Sequence, residues 1–307
     1  MSYCRKKGRG KALTALALAL TLLTGCAGAT VRETFSPPLV TPTAEPTAEP
    51  TPSPKPTPSP TPGPTPEPEI TAQDLIEQYF RDKKLRDDQI FVGYYNTGTG
   101  EEAYVNGDTY REAASMYKVA LCMYWTEKIG RGELEWDQLM NGYRLNFSVE
   151  QTLVNSNNDT AGSLWSAIGS YKEYRRAMIP FYGGVPEEEE AAFCKSSAVT
   201  PRQMIHVLKM LYEDPDRYPR VLEFMLRASP NQYLRYKEAQ PWAVAQKYGY
   251  FEGVVNICGI VYTEEPFLLV VMTKYVGKYQ VYMSELCRLL GDYTEGRLPE
   301  AGDADTE

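Results

Sequence analysis

Three short stretches of this chain carry side chains that could do chemistry together. The first is Ser115-Met116-Tyr117-Lys118, which opens a strongly apolar run. A serine at a helix N-terminus sits in favourable partial positive charge. A lysine three residues on lies on the same face, one turn deeper. Burial among apolar neighbours disfavours the ammonium form, and a neutral amine beside a hydroxyl is a base beside a nucleophile. The second stretch is Ser156-Asn157-Asn158, within V-N-S-N-N-D-T-A. Its hydroxyl could relay a proton and the Asn158 amide could hold a substrate carbonyl. The third is Lys247-Tyr248-Gly249, at what reads as the end of a strand. None is decisive alone: S-x-N recurs at Ser229-Pro230-Asn231 and K-x-G at Lys128-Ile129-Gly130.

The elements around these stretches limit where they can lie. Thr71 and Asp74 form a capping box before Leu75, Ile76, Tyr79 and Phe80, which predicts a helix from Thr71 to Lys84. The runs Q-I-F-V-G-Y-Y-N and E-A-Y-V-N flank T-G-T-G and predict a hairpin. Ser115 to Ile129 is apolar nearly all round, the pattern of a buried central helix. Helical segments follow around Thr152 to Ile168 and Tyr171 to Met178, then a loop from Phe181 to Val199 containing four glutamates. A helix begins at Pro201, with Thr200 and Gln203 as its capping box and His206 beside its buried face. Trp242 to Tyr248, Val254 to Tyr262 and Phe267 to Lys274 read as three strands, whose short connections favour antiparallel pairing. A last helix is expected near Tyr279 to Leu290. The expected fold class is α+β: an antiparallel sheet of about five strands from both chain ends, flanked by helices, with an inserted all-helical subdomain.

The ends of the chain read differently. Arg5, Lys6, Lys7, Arg9 and Lys11 precede an apolar run from Ala12 to Leu23, too short for a membrane span and suited to a signal peptide. The run ends in Leu23-Thr24-Gly25-Cys26, which resembles the lipobox of bacterial lipoproteins. That resemblance implies a leader over 1–25, lipidation of Cys26 and an extracytoplasmic protein anchored to the bacterial cell membrane. Residues 26–69 are a proline-rich stalk, for which extended polyproline II is expected. One domain is expected over 70–293, and an acidic tail over 294–307. The formal charge is −8, and the charged residues of the leader are all basic, so the exported chain is more acidic still. An acidic exported domain is a poor partner for nucleic acid. No C-x-x-C pair occurs and His206 is the single histidine, which argues against a zinc site. No cofactor is expected, and the domain is expected to be a monomer. Cys122 and Cys258 lie in apolar runs and read as core thiols.

In order and setting, S-x-x-K, S-x-N and K-x-G match the motif set of class A β-lactamases and penicillin-binding proteins. With the flanks Y-R-E-A-A-S-M-Y-K-V-A-L and the G-I-V-Y that follows E-G-V-V-N-I-C, residues 70 to 293 resemble the class A β-lactamase-like serine hydrolase superfamily. The resemblance implies the β-lactamase/transpeptidase fold. It implies Ser115 as acylated nucleophile, Lys118 as its base and Ser156 as proton shuttle. Asn158 and Lys247 would bind substrate amide and carboxylate, within a wall that includes Tyr248, Gly249 and Tyr250. The N–H groups of Ser115 and Tyr250 would form the oxyanion hole. The implied substrate is a β-lactam, a peptidoglycan-type D-alanyl peptide, or a related amide or ester. Two departures stand out. Tyr248 replaces the Thr or Ser of K-[ST]-G, and no E-x-x-L-N occurs in Phe181 to Val199, where Glu187, Glu188, Glu189 and Glu190 are the acids available. A cell-envelope binding module that keeps the fold with little turnover is the alternative reading.

Overall fold

A computed structural model describes residues 70–238 and 240–298, which fall in one compact unit. The expected leader, Cys26, the proline-rich stalk and most of the acidic tail lie outside the described residues.

Helix α1 (Ala72–Lys83) begins at the Thr71/Asp74 capping box and ends at Lys84 in the left-handed conformation. Strands β1 (Ile90–Asn96) and β2 (Glu102–Val105) form the expected hairpin. A two-residue strand β3 (Arg111–Glu112) follows, then a 3-10 turn over Ala114–Tyr117 and helix α2 (Lys118–Gly130). The inserted helical region holds the small ribbon β4 (Leu139–Met140) and β5 (Tyr143–Arg144), then α3 (Leu145–Val154), α4 (Asn158–Ser166) and α5 (Tyr171–Met178). Helix α6 (Glu187–Phe193) and strand β6 (Ala198–Val199) lead into α7 (Pro201–Glu213) and α8 (Val221–Arg227). Strands β7 (Ala243–Phe251), β8 (Val254–Tyr262) and β9 (Phe267–Lys274) and helix α9 (Tyr279–Thr294) complete the domain.

The sheet order is β2-β1-β9-β8-β7, antiparallel throughout, so strands from both chain ends interleave as expected. Alternation along the strands splits the core in two, because successive side chains point to opposite faces. Phe91, Ala245, Cys258, Ile260, Leu268, Val270 and Met272 face the helical region. Ile90, Val92, Tyr94, Val244, Val255, Ile257, Leu269 and Val271 face α1 and α9. Because both faces are covered, β1, β8 and β9 read as nearly continuous apolar runs. Cys122, Cys194, Cys258 and Cys287 are buried free thiols.

Four local expectations need correction, and one helix adds to them. Ser115 does not open an α-helix: the α-helix starts at Lys118, behind a 3-10 turn. The helical stretch expected over 152–168 starts earlier, at Leu145, and breaks at Asn155–Asn157. The four glutamates sit on a helix, not a loop; acids in a first turn complement the helix dipole, and Phe193 buries the other end. Lys247-Tyr248-Gly249 lies inside β7, which runs on to Phe251 because Tyr250 and Phe251 still pair with Val255 and Val254. Helix α8, too short to show a clear period, was not expected at all.

Candidate active site

The three motif stretches, more than a hundred residues apart at their extremes, meet between the sheet face and the helical region. The chain reaches Ser115 through a strained turn. Ala114 has φ +46°, a left-handed conformation that costs of order 1–3 kcal/mol for a residue with a side chain. Two contacts hold that turn. The Glu112 carboxylate accepts the Ala114 N–H at 2.9 Å, and Asn256, fully buried on β8, donates its amide to the Glu112 carbonyl at 2.8 Å. Asn256 in turn accepts the Thr273 N–H of β9, so the Ser115 turn is tied to the centre of the sheet. A Glu112→Ala variant leaves the Ala114 N–H without its acceptor, which costs about 1–3 kcal/mol. Glu112→Gln, which keeps an amide oxygen there, retains most of that stability. The thermal unfolding midpoints of the two variants measure the difference.

Gly249 backs directly onto this turn. A Cβ on it would lie 2.7 Å from the Ser115 nitrogen and 2.8 Å from the Ala113 oxygen. β7 therefore approaches the Ser115 backbone as closely as a glycine allows, and β7 is an edge strand of the sheet. Tyr250 follows on this edge with its side chain 63% exposed.

Lys118 is fully buried in the first turn of α2. Its Nζ donates to the Ser156 carbonyl at 2.6 Å and to Asn158 Oδ1 at 2.7 Å, and lies 3.3 Å from Ser156 Oγ. Ser156 can present both oxygens because it has φ +54°, in the break between α3 and α4. Asn157 makes that break by capping α4, accepting the Asp159 and Thr160 N–H groups. Lys247 approaches Ser156 from the opposite side, its Nζ 2.9 Å from Ser156 Oγ and 2.8 Å from the Tyr248 carbonyl. Two lysines thus converge on one serine hydroxyl. Burial lowers Lys118 to about 8. Burial and the charge of Lys118 lower Lys247 to about 7. An unpaired buried ammonium is penalised by lost solvation, so the neutral amine is accessible near neutral pH.

The motif residues are brought together, with one difference from the expected pairing. Among the described residues no hydrogen bond joins Lys118 to the Ser115 hydroxyl; Lys118 is bonded to Ser156 and Asn158 instead. Tyr248 also does not present its hydroxyl as a short hydroxyl residue would. Its ring stacks on Tyr233 at 5.0 Å and 11°.

Two of the acids of α6 serve other contacts. Glu189 accepts the Tyr110 hydroxyl and Glu190 pairs with Arg176. Arg175, fully buried, holds the following segment by donating to the Phe193 and Ala198 carbonyls. Asn256 and Arg175 went unnoticed in the sequence because their partners lie more than a dozen residues away, and Glu112 because its contact with the Ala114 N–H depends on a left-handed turn that no residue type there signals. His206 lies on α7 against Gly183, and burial lowers its pKa.

The chain resembles solved structures over most of the described region. An ancestral class A beta-lactamase superposes with a TM-score of 0.60 at 15% identity, over 73% of this chain and all of that one. A beta-lactamase from Xanthomonas campestris gives 0.59 at 15% identity, over 73% of this chain and 99% of that one. A mutant of PBP-A, solved as an acyl-enzyme complex with penicillin G, gives 0.62 at 16% identity, over 75% and 99%. No curated protein matches the sequence. The family described as beta-lactamase enzyme family matches residues 71–293, and the chain belongs to that class A beta-lactamase-like family.

Proposed function

We propose that this protein is a serine hydrolase that forms an acyl-enzyme at Ser115, held outside the cell membrane by a lipid on Cys26 and a proline-rich stalk. The observation that carries this is the convergence of Lys118 and Lys247, both lowered toward neutrality, on the Ser156 hydroxyl beside the Ser115 turn.

The Ser115 Oγ attacks an acyl carbon, and its proton passes to the neutral Lys118 amine. The new C–O bond forms as the carbonyl becomes an oxyanion, which the backbone N–H groups of Ser115 and Tyr250 receive. The C–N or C–O bond to the leaving group then breaks, and Ser156 supplies the proton that the leaving atom takes up. Lys118 or Lys247 returns a proton to Ser156. Water later cleaves the ester, releasing the acid and restoring Ser115. Glu189 bonds Tyr110, Glu190 bonds Arg176, and Glu112 bonds the Ala114 N–H and Ser197, so these three carboxylates are engaged elsewhere and are poorly placed to activate that water. Slow deacylation follows.

Mass spectrometry of the intact domain after exposure to benzylpenicillin and to p-nitrophenyl acetate tests this. A persistent adduct in the wild type that Ser115→Ala removes is the expected result. An adduct that survives Ser115→Ala, or none from either reagent, refutes it. The second outcome favours the alternative, a binding module without turnover, for which the bonding of Lys118 to Asn158 rather than to Ser115 speaks.

A further inference from the structure

We propose that Tyr248 has closed the site to a substrate carboxylate at Lys247, so that the enzyme acts on acyl donors that are uncharged on that side. This rests on the acyl-enzyme reading above and names the substrate class of the same site.

Lys247 is the one cation that the K-x-G stretch offers to an anionic group, and it is 0% exposed. It is closed off from solvent, so a carboxylate oxygen reaches the 2.7–2.9 Å of a charge-assisted hydrogen bond only by displacing a neighbour. Two of its hydrogen-bonding directions are filled by Ser156 Oγ and the Tyr248 carbonyl. The Tyr248 ring lies over Nζ at 4.2 Å from its centroid and covers a third direction. That ring is held in place: it stacks on Tyr233, which is itself 7% exposed and belongs to the core under α9. A side-chain hydroxyl at this place would leave the ammonium face open and add a donor for an anion. An aromatic ring does neither.

The arginine nearest this strand on the preceding turn is already engaged. Arg235, on the turn beside β7, donates its guanidinium to the Leu226 and Ala228 carbonyls. Beyond Gly249 the strand presents Tyr250, 63% exposed, and Phe251, 51% exposed. This wall is aromatic, which suits an apolar or neutral group. Lys247 is left with the Ser156 hydroxyl as its partner in the cleft, a proton-relay contact and not an anchor.

Benzylpenicillin and its methyl ester carry the same acyl group and differ only in the carboxylate. Second-order rates of Ser115 adduct formation are compared by intact mass, with p-nitrophenyl acetate as a reference that has no carboxylate. The expected result is that wild type reacts with the methyl ester at least as fast as with the free acid. Tyr248→Thr, or Tyr248→Ser should the first variant fail to fold, shifts the acid-to-ester ratio toward the acid by tenfold or more. Taking the acid-to-ester ratio within each variant cancels any general change in acylation rate, which the reference reports. A wild type that prefers the free acid by tenfold overturns the proposal, and so does an unchanged ratio in both folded variants. Failure of all three reagents to label Ser115 refutes the acyl-enzyme reading itself, and the specificity proposal falls with it. Labelling by the reference alone keeps that reading and overturns the claim that the ester is accepted.

Discussion

Replacing Lys118 with alanine is expected to slow acylation of Ser115 by roughly 10²- to 10⁴-fold, the range of general-base catalysis. The expectation rests on where this lysine is. It is fully buried, bonded to Ser156 and Asn158, and lowered by burial to about 8. Only the neutral amine can take the Ser115 proton, so the sign of the pH dependence follows. Below about 8 Lys118 is mainly the ammonium and acylation is slow; above it the amine dominates. For a single site of that pKa the neutral fraction rises about tenfold between about pH 7 and about pH 9. Lys247, at about 7, repels Lys118 and shares Ser156 with it, so the observed midpoint belongs to the pair. The measurement is the rate of p-nitrophenol release in the first turnover across this range, for wild type and Lys118→Ala. A flat wild-type profile, or a variant as fast as wild type, removes Lys118 from the role of base.

Gly249→Ala is expected to slow the same step by about 10²-fold or more, for a steric reason. The added Cβ would stand 2.7 Å from the Ser115 nitrogen, 2.8 Å from the Ala113 oxygen and 2.9 Å from the Ala114 Cβ. Backbone atoms cannot rotate away, so the Ser115 turn must move off the edge of β7. A displacement of about 1 Å in a reacting group can cost 10²-fold in rate. Overpacking costs about 1–3 kcal/mol of stability in addition. Gly277→Ala is the control, since a Cβ there meets nothing within 4 Å. Single-turnover labelling separates the two effects once unfolding midpoints show both variants folded. Wild-type labelling by Gly249→Ala would mean that close packing at β7 is not what places Ser115.

How much of this was legible before the fold depends on the range of the interaction. The α1 capping box, the β1–β2 hairpin and the capped start of α7 were readable because each signal lies within a few residues. The sheet built from both chain ends followed from element order and short connections. Helix α6 was missed because four glutamates read as a solvated run; Pro186 ahead of them and Phe193 behind were the signal available. The β3–β6 pairing, two residues long, has no period to read.

The sequence by itself determined which chemical groups the site could contain: a serine and a lysine one helical turn apart, a second serine beside an asparagine, and a lysine with a tyrosine where a short hydroxyl residue is usual. It determined the family too, because those groups come in a characteristic order. Only the tertiary structure decided what the groups do to one another. Lys118 and Lys247 meet at Ser156, and the shift of Lys247 to about 7 arises from burial and from a charge far away in the chain. The stacking of Tyr248 on Tyr233, which turns the substituted residue into a cover over Lys247, has the same origin. Solvation and electrostatic repulsion depend on distance in space, and the order of residues along a chain does not contain that distance.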